Sequence, residues 1–157
     1  MKPNIGIIKK DLEAVIELLS VVLANEVSLY TKTRKFHWNV NGESFMELHK
    51  LFEHQYKQTE ESIDMVAERI SKLGGKTIGT MQEFIKTTII KEHPGKFPAS
   101  NEMLKELLED HETIIIQLRK FVGICAEKHH DAGTSDFLTS LMQQHETISW
   151  TLSRYFD

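Results

Sequence analysis

The stretch Phe45-Met-Glu-Leu-His49-Lys-Leu-Phe-Glu53-His-Gln-Tyr-Lys-Gln-Thr59-Glu-Glu-Ser-Ile-Asp64-Met-Val-Ala-Glu68-Arg-Ile-Ser-Lys-Leu73 decides the fold. Its apolar residues recur at helical spacing with no breaker inside, and Gly74-Gly75 ends it. At 1.5 Å per residue such a helix is about 43 Å long, a length typical of bundles. Ser44 reads as its N-cap, with Glu47 completing a capping box. Upstream, Leu12, Val15, Ile16, Leu19, Val22, Leu23, Val27 and Tyr30 mark a first helix from Ile7 to about Lys35, with Ile8 on the apolar side and Glu26 facing out. Asn39-Val40-Asn41-Gly42 is a turn. Downstream, Thr80 opens a short helix to about Thr87. Lys91 to Ser100, with Pro94-Gly95 and Pro98, reads as loop. Ser100 or Asn101 caps a third long helix to about Lys128, and Thr134 or Ser135 opens a fourth after an Asp131-Ala-Gly133 turn. The expectation is an all-α, ferritin-like four-helix bundle, a single domain over residues 1–157, with an extra helix in the crossover between the second and third long helices.

Composition agrees. Of 157 residues, 40% are apolar and 27% charged, which excludes a disordered or fibrous chain. A single cysteine, Cys125, excludes an internal disulfide and fits a reducing compartment. The net charge of −4 argues against a surface that binds nucleic acid all over. The N-terminal MKPNIGIIKKDLEAVIELLS is broken by charges and lacks a signal-peptide pattern, and no apolar run is long enough to span a bilayer. A cytoplasmic location without membrane partners is expected.

The second helix carries four potential metal ligands, His49, Glu53, Asp64 and Glu68, spaced 4, 11 and 4. At about 100° per residue, with His49 at zero, they fall near 40°, 60° and 100°, on one strip. Paired carboxylates at i, i+4 are commonly a solvated helix face. Here the strip borders Leu48, Phe52, Ile63 and Ala67, and Asp64 and Glu68 repel one another with no Lys or Arg between them on that face, so a cation is wanted. The pairs His49/Glu53 and Asp64/Glu68 lie about 22 Å apart along the axis and cannot clamp one ion within one chain. A second copy crossing antiparallel, centred near Gln58 and Thr59, brings His49/Glu53 of one subunit onto Asp64/Glu68 of the other, twice, about a two-fold axis. His37, folded back across the Asn-Gly turn, joins the first half. Two imidazoles and three carboxylates without thiolate suit iron, manganese or zinc, and iron best because anions favour its higher charge state. Of the other histidines, His54 points away from this strip, Glu127-x-x-His130 offers a single copy of a di-iron motif at a helix end, and His93 and His111 carry no pattern.

At these residues the sequence resembles the Dps family, ferritin-like DNA-protection proteins of starved bacterial cells. The resemblance rests on Lys35-Phe36-His37-Trp38-Asn39-Val40, on Glu47-Leu48-His49 with Glu53, and on Asp64-x-x-Ala67-Glu68-Arg69-Ile70 closed by Leu73-Gly74-Gly75. It continues in Asp131-x-x-Thr134-x-Asp136-Phe137-Leu138 and His145-Glu146 followed by Trp150, and so covers essentially the whole chain. It implies a hollow dodecamer that oxidises Fe(II), usually with hydrogen peroxide, and stores ferric mineral. The implied two-fold sites use His37, His49, Glu53, Asp64 and Glu68, although many members carry Asp where this chain has Glu53. Trp38 matches a tryptophan that donates an electron near the iron, and Asp131 and Asp136 match acidic positions lining three-fold pores. Capping roles for both aspartates are the local alternative. The resemblance also raises DNA binding, with nucleoid association, as an alternative function. Lys2, Lys9, Lys10 and Arg154 are few cations for binding driven by phosphate neutralisation.

Overall fold

The computed structural model describes residues 3–156, so Lys2 lies outside the described residues. Five α-helices follow in order: α1 Lys9–Asn39, α2 Phe45–Lys72, α3 Met81–Thr87, α4 Ser100–Gly123, which runs into a π-helical turn Ile124–Lys128, and α5 Ala132–Ser153. The four long ones form the bundle, and α3 lies in the crossover between α2 and α4.

Side-chain pairs set the register. Tyr30 meets Tyr56 and Phe36 meets Phe52, so α1 and α2 run antiparallel. Asn25 bonds Gln117 while Lys32 bonds Asp110, which makes α1 and α4 antiparallel too. The helices bury one shared apolar core that includes Leu19, Phe52, Ile70, Leu107, Leu118 and Leu138, all fully buried. Each such side chain contributes about 1.5–3 kcal/mol of transfer free energy on burial.

The ends of the elements differ from the sequence expectation in instructive ways. The first helix continues to Asn39 rather than Lys35, so His37 and Trp38 are helical. Ser44 makes no side-chain cap bond to α2. Its expected partner Glu47 instead accepts a hydrogen bond from the Tyr155 hydroxyl at 2.6 Å, which ties the C-terminal segment to the start of α2. The capping box forms on α3, where Thr80 and Glu83 satisfy each other's backbone N–H groups. Ala99, not Ser100 or Asn101, is the N-cap of α4. The Glu102 carboxylate accepts from the Ala99 N–H, and the Ser100 hydroxyl is spent on the Asn41 carbonyl. The third long helix widens to π geometry at Ile124 instead of remaining α-helical to Lys128. Asp131 caps α5, which therefore begins at Ala132, two or three residues earlier than expected. Ile8 is exposed.

The end of α2 is a Schellman turn: the Gly75 N–H donates to Ile70 and the Gly74 N–H to Ser71. Gly74 takes φ +83°, and a Cβ at Gly75 would come within 3.0 Å of both Ile70 and Ile16. Both glycines are thus required where the sequence shows the break. Asn25, buried in α1, holds the crossover: its Oδ1 accepts from the Thr88 hydroxyl and the Ile89 N–H.

Candidate metal centre

The extension of α1 to Asn39 and the short turn to α2 bring His37 and His49 face to face. Their rings stack at 3.8 Å between centroids, 19° from parallel. The Nδ1 of His37 donates to the His49 carbonyl at 2.8 Å, and the Nδ1 of His49 donates to the His37 carbonyl at 2.9 Å. A carbonyl only accepts, so both Nδ1 atoms carry the proton and both Nε2 lone pairs are free for a metal. The His37 carbonyl is available because it lies in the last turn of α1, where the helix leaves acceptors unpaired. Phe45 covers the outer face of His49 at 5.0 Å, and the Tyr56 edge packs on His37 at 5.3 Å.

Glu53 lies one turn beyond His49. Its carboxylate binds Lys57 at 2.5 Å, and that hydrogen bond and charge hold its pKa below the usual carboxylate range, helped by the two imidazoles. Asp64 and Glu68 lie farther along α2, both exposed, and Glu68 pairs with Lys72 at 3.1 Å. Lys57 and Lys72 each sit one turn past a carboxylate, in the favourable Glu-to-Lys i, i+4 order, and so meet part of the strip's need for a cation, although no Lys or Arg lies between Asp64 and Glu68. Among the described residues, no group of three His, Cys, Asp or Glu is placed to hold a metal ion. The chain brings His37 and His49 together, keeps Glu53 one turn on and paired with Lys57, and leaves Asp64 and Glu68 on the same helix's open surface.

Trp38 is exposed next to this half-site, with the Arg34 guanidinium over its ring at 4.9 Å. Arg34 also lies over Tyr30 and Tyr56, at 5.3 and 5.4 Å, and donates to the Tyr30 hydroxyl. The sequence reading missed Tyr56, Arg34 and Lys57. Lys57 was findable from its spacing to Glu53, whereas the ring packing needs the fold.

Asp131 has the local capping role that was the alternative to a pore position. Its carboxylate accepts from the Thr134 N–H and hydroxyl and from Arg69 at 3.2 Å, and the residue is buried. Both oxygens are spent inside the chain, capping α5 and tying it to the end of α2. Asp136 is exposed. Glu127 and His130 are exposed at the π turn, and His130 takes φ 52°. His54 is exposed, and His93 bonds Glu106. Glu26, read as facing out, is fully buried.

Residues 16–157 match the ferritin-like domain family. An uncharacterized low temperature-induced protein of Nostoc sp. is 42% identical over 154 residues, covering 98% of this chain and 86% of that one. DNA protection during starvation protein 2 of Bacillus anthracis is 34% identical over 143 residues, covering 91% and 97%. The Dps protein of Vibrio cholerae, described as a member of a broad superfamily of ferritin-like diiron-carboxylate proteins, superposes with TM-score 0.92 at 28% identity, covering 99% and 97%. No helix among the described residues is long and apolar enough to cross a membrane. With a ferritin-like bundle, the crossover helix in place and relatives of this similarity along nearly its full length, the chain belongs to the Dps family.

Proposed function

We propose that this protein is a ferroxidase and iron store of the cytoplasm that protects against oxidative stress. Fe(II) is its substrate, bound by His37, His49 and Glu53 of one subunit and by Asp64 and Glu68 of the two-fold mate. The observation that carries the reading is the pair of reciprocal His37–His49 hydrogen bonds, which leave both Nε2 lone pairs available one turn from Glu53, whose carboxylate Lys57 holds until metal binds. A carboxylate strip on the exposed side of the same helix supplies the other half when two copies cross antiparallel. The N/O donor set suits iron, with zinc or manganese as substitutes.

Two Fe(II) each give one electron to hydrogen peroxide. Its O–O bond breaks, two protons are taken up and two waters form. The Fe(III) then hydrolyses and is stored as mineral inside a hollow dodecamer built from the two-fold dimers. Trp38 supplies an electron when only one Fe(II) is bound. Asp136, the exposed member of the pore pair, lies on the entry route, where a ring of carboxylates concentrates divalent cations. Metal binding releases Lys57 from Glu53 and Lys72 from Glu68, exchanges between exposed groups that cost little.

The test is the double variant His37→Gly, His49→Gly. Peroxide-driven Fe(II) oxidation is expected to fall to the rate in buffer while light scattering still reports the full assembly. An unchanged rate removes the reading. Several relatives are named for DNA protection, which supports a second reading, DNA binding. A gel shift at low and moderate salt decides it, and strong binding at moderate salt would favour it.

A further inference from the structure

The centre of the bundle holds three ionisable side chains that the metal centre does not use. Glu26 on α1, His145 on α5 and His111 on α4 are 0%, 2% and 1% exposed. They form a line. The Nε2 of His145 meets Glu26 Oε1 at 2.8 Å, and its Nδ1 meets the Nδ1 of His111 at 2.8 Å. The two nitrogens of His145 point opposite ways, so no single metal ion can touch all three residues. Each contact needs one hydrogen between its two atoms. A carboxylate fully removed from water needs a neutralising charge, and Glu26 Oε2 has no hydrogen-bond partner among the described residues.

We propose that Glu26, His145 and His111 form a proton-binding site that holds one positive charge opposite the Glu26 carboxylate and has no room for a second. With one proton bound, His145 donates from both nitrogens, to Glu26 and to the lone pair on His111 Nδ1, and His111 stays neutral. A second proton would place N–H groups on both Nδ1 atoms, facing each other at a distance where one must accept. The second proton therefore binds only when α4 and α5 separate, and the bundle is built to loosen in acid. Burial, and next the charge of His145, hold the His111 pKa well below its usual 6.5. From α1, Glu26 is the charged group bonded to His145. Asp110, beside His111 in sequence on α4, shares the Lys32 ammonium with Glu106, so that cluster carries two carboxylates to one cation and adds no positive charge near His111. On α2, the buried polar residues Gln55, Thr59 and Ser62 carry no charge.

The unfolded chain takes a proton on this histidine below pH 6.5 and the folded chain does not. Stability is complete above 6.5 and is lost as pH falls toward the depressed folded value. The test is urea unfolding of the assembled full chain at fixed concentration from pH 8 to 4.5, for the natural protein, His111→Gln and the exposed control His54→Gln. The unfolding constant of the natural protein and of the control is expected to rise by up to about tenfold per pH unit below 6.5 more steeply than that of His111→Gln. Equal slopes in all three overturn the proposal. If His111→Gln does not assemble, C2–H exchange of the histidines in the natural protein replaces it. A His111 midpoint well below 6.5 supports the site, and one near 6.5 in the folded assembly overturns it.

Discussion

His37 and His49 each donate a hydrogen bond from Nδ1 to the other's backbone carbonyl, at 2.8 and 2.9 Å. The bonds staple the end of α1 to the start of α2 and, in the same act, decide the tautomer of both rings. Structure and the proposed chemistry share these residues: a substitution at either histidine removes a proposed ligand and also one clasp of the turn. Tyr56, packed edge-on against His37, props the pair from the inner side.

Tyr56→Leu removes that prop without touching a ligand atom. The half-saturating Fe(II) concentration is expected to rise by about three- to tenfold, since a loosened ligand pair binds less well. Tyr56→Phe, which keeps the ring, is expected to behave as the natural protein. Initial-rate kinetics against Fe(II) concentration checks both.

In the proposed site Lys57 is the competitor of the metal for Glu53. Its bond and charge keep the carboxylate ionised at a pH lower than usual, and they also occupy it. Lys57→Met frees the carboxylate and removes a positive charge from the cation's path. Half-saturation is expected to fall by about two- to fivefold, most clearly at low ionic strength. A stopped-flow titration with Fe(II) at two salt concentrations measures it.

Asp131 and Asp136 are expected to separate stability from the proposed iron entry. Asp131→Ala removes the cap of α5 and leaves Arg69 without its carboxylate, so a loss of about 1–3 kcal/mol is expected in urea unfolding. Asp136→Asn is expected to leave stability within about 0.5 kcal/mol and to slow iron uptake. The two aspartates look alike in sequence because both stand near a helix start, and only burial tells them apart.

The Tyr155–Glu47 bond gives the C-terminal segment an alkaline signature. Burial first, then the bond to Glu47, pushes the Tyr155 phenol up to about 12. The tie is fully present below pH 10, the ordinary tyrosine value, and is lost as pH rises from 10 through 12. Phenolate absorbance of the natural protein is expected to include one late-titrating tyrosine that is absent in Tyr155→Phe.

Much of this was legible in the chain. The four long helices follow from apolar spacing, and the break at Gly74-Gly75 follows from residues that the turn strictly needs. That His49, Glu53, Asp64 and Glu68 share one helix follows from the same spacing. What the sequence hid depends on partners distant along the chain. Glu26 reads as outward by residue type, yet its partner His145 lies 119 positions away and takes it into the core. His111 shows no pattern because its neighbour is 34 residues on. Ser44 lost its capping box because Glu47 had a competing donor in Tyr155, 108 positions away. Lys57 and Lys72 were the avoidable omission, since i, i+4 pairing is local.

Division of each iron site between two chains is the proposal. It is tested by co-assembling two dead variants, His37→Gly/His49→Gly and Asp64→Asn/Glu68→Gln, and measuring peroxide-driven Fe(II) oxidation. Random mixing in equal amounts rebuilds roughly a quarter of the sites, because only mixed dimers carry one intact pairing of two. Recovery of about a quarter of the natural rate is the predicted result. A mixture as inactive as its two parents would contradict the account.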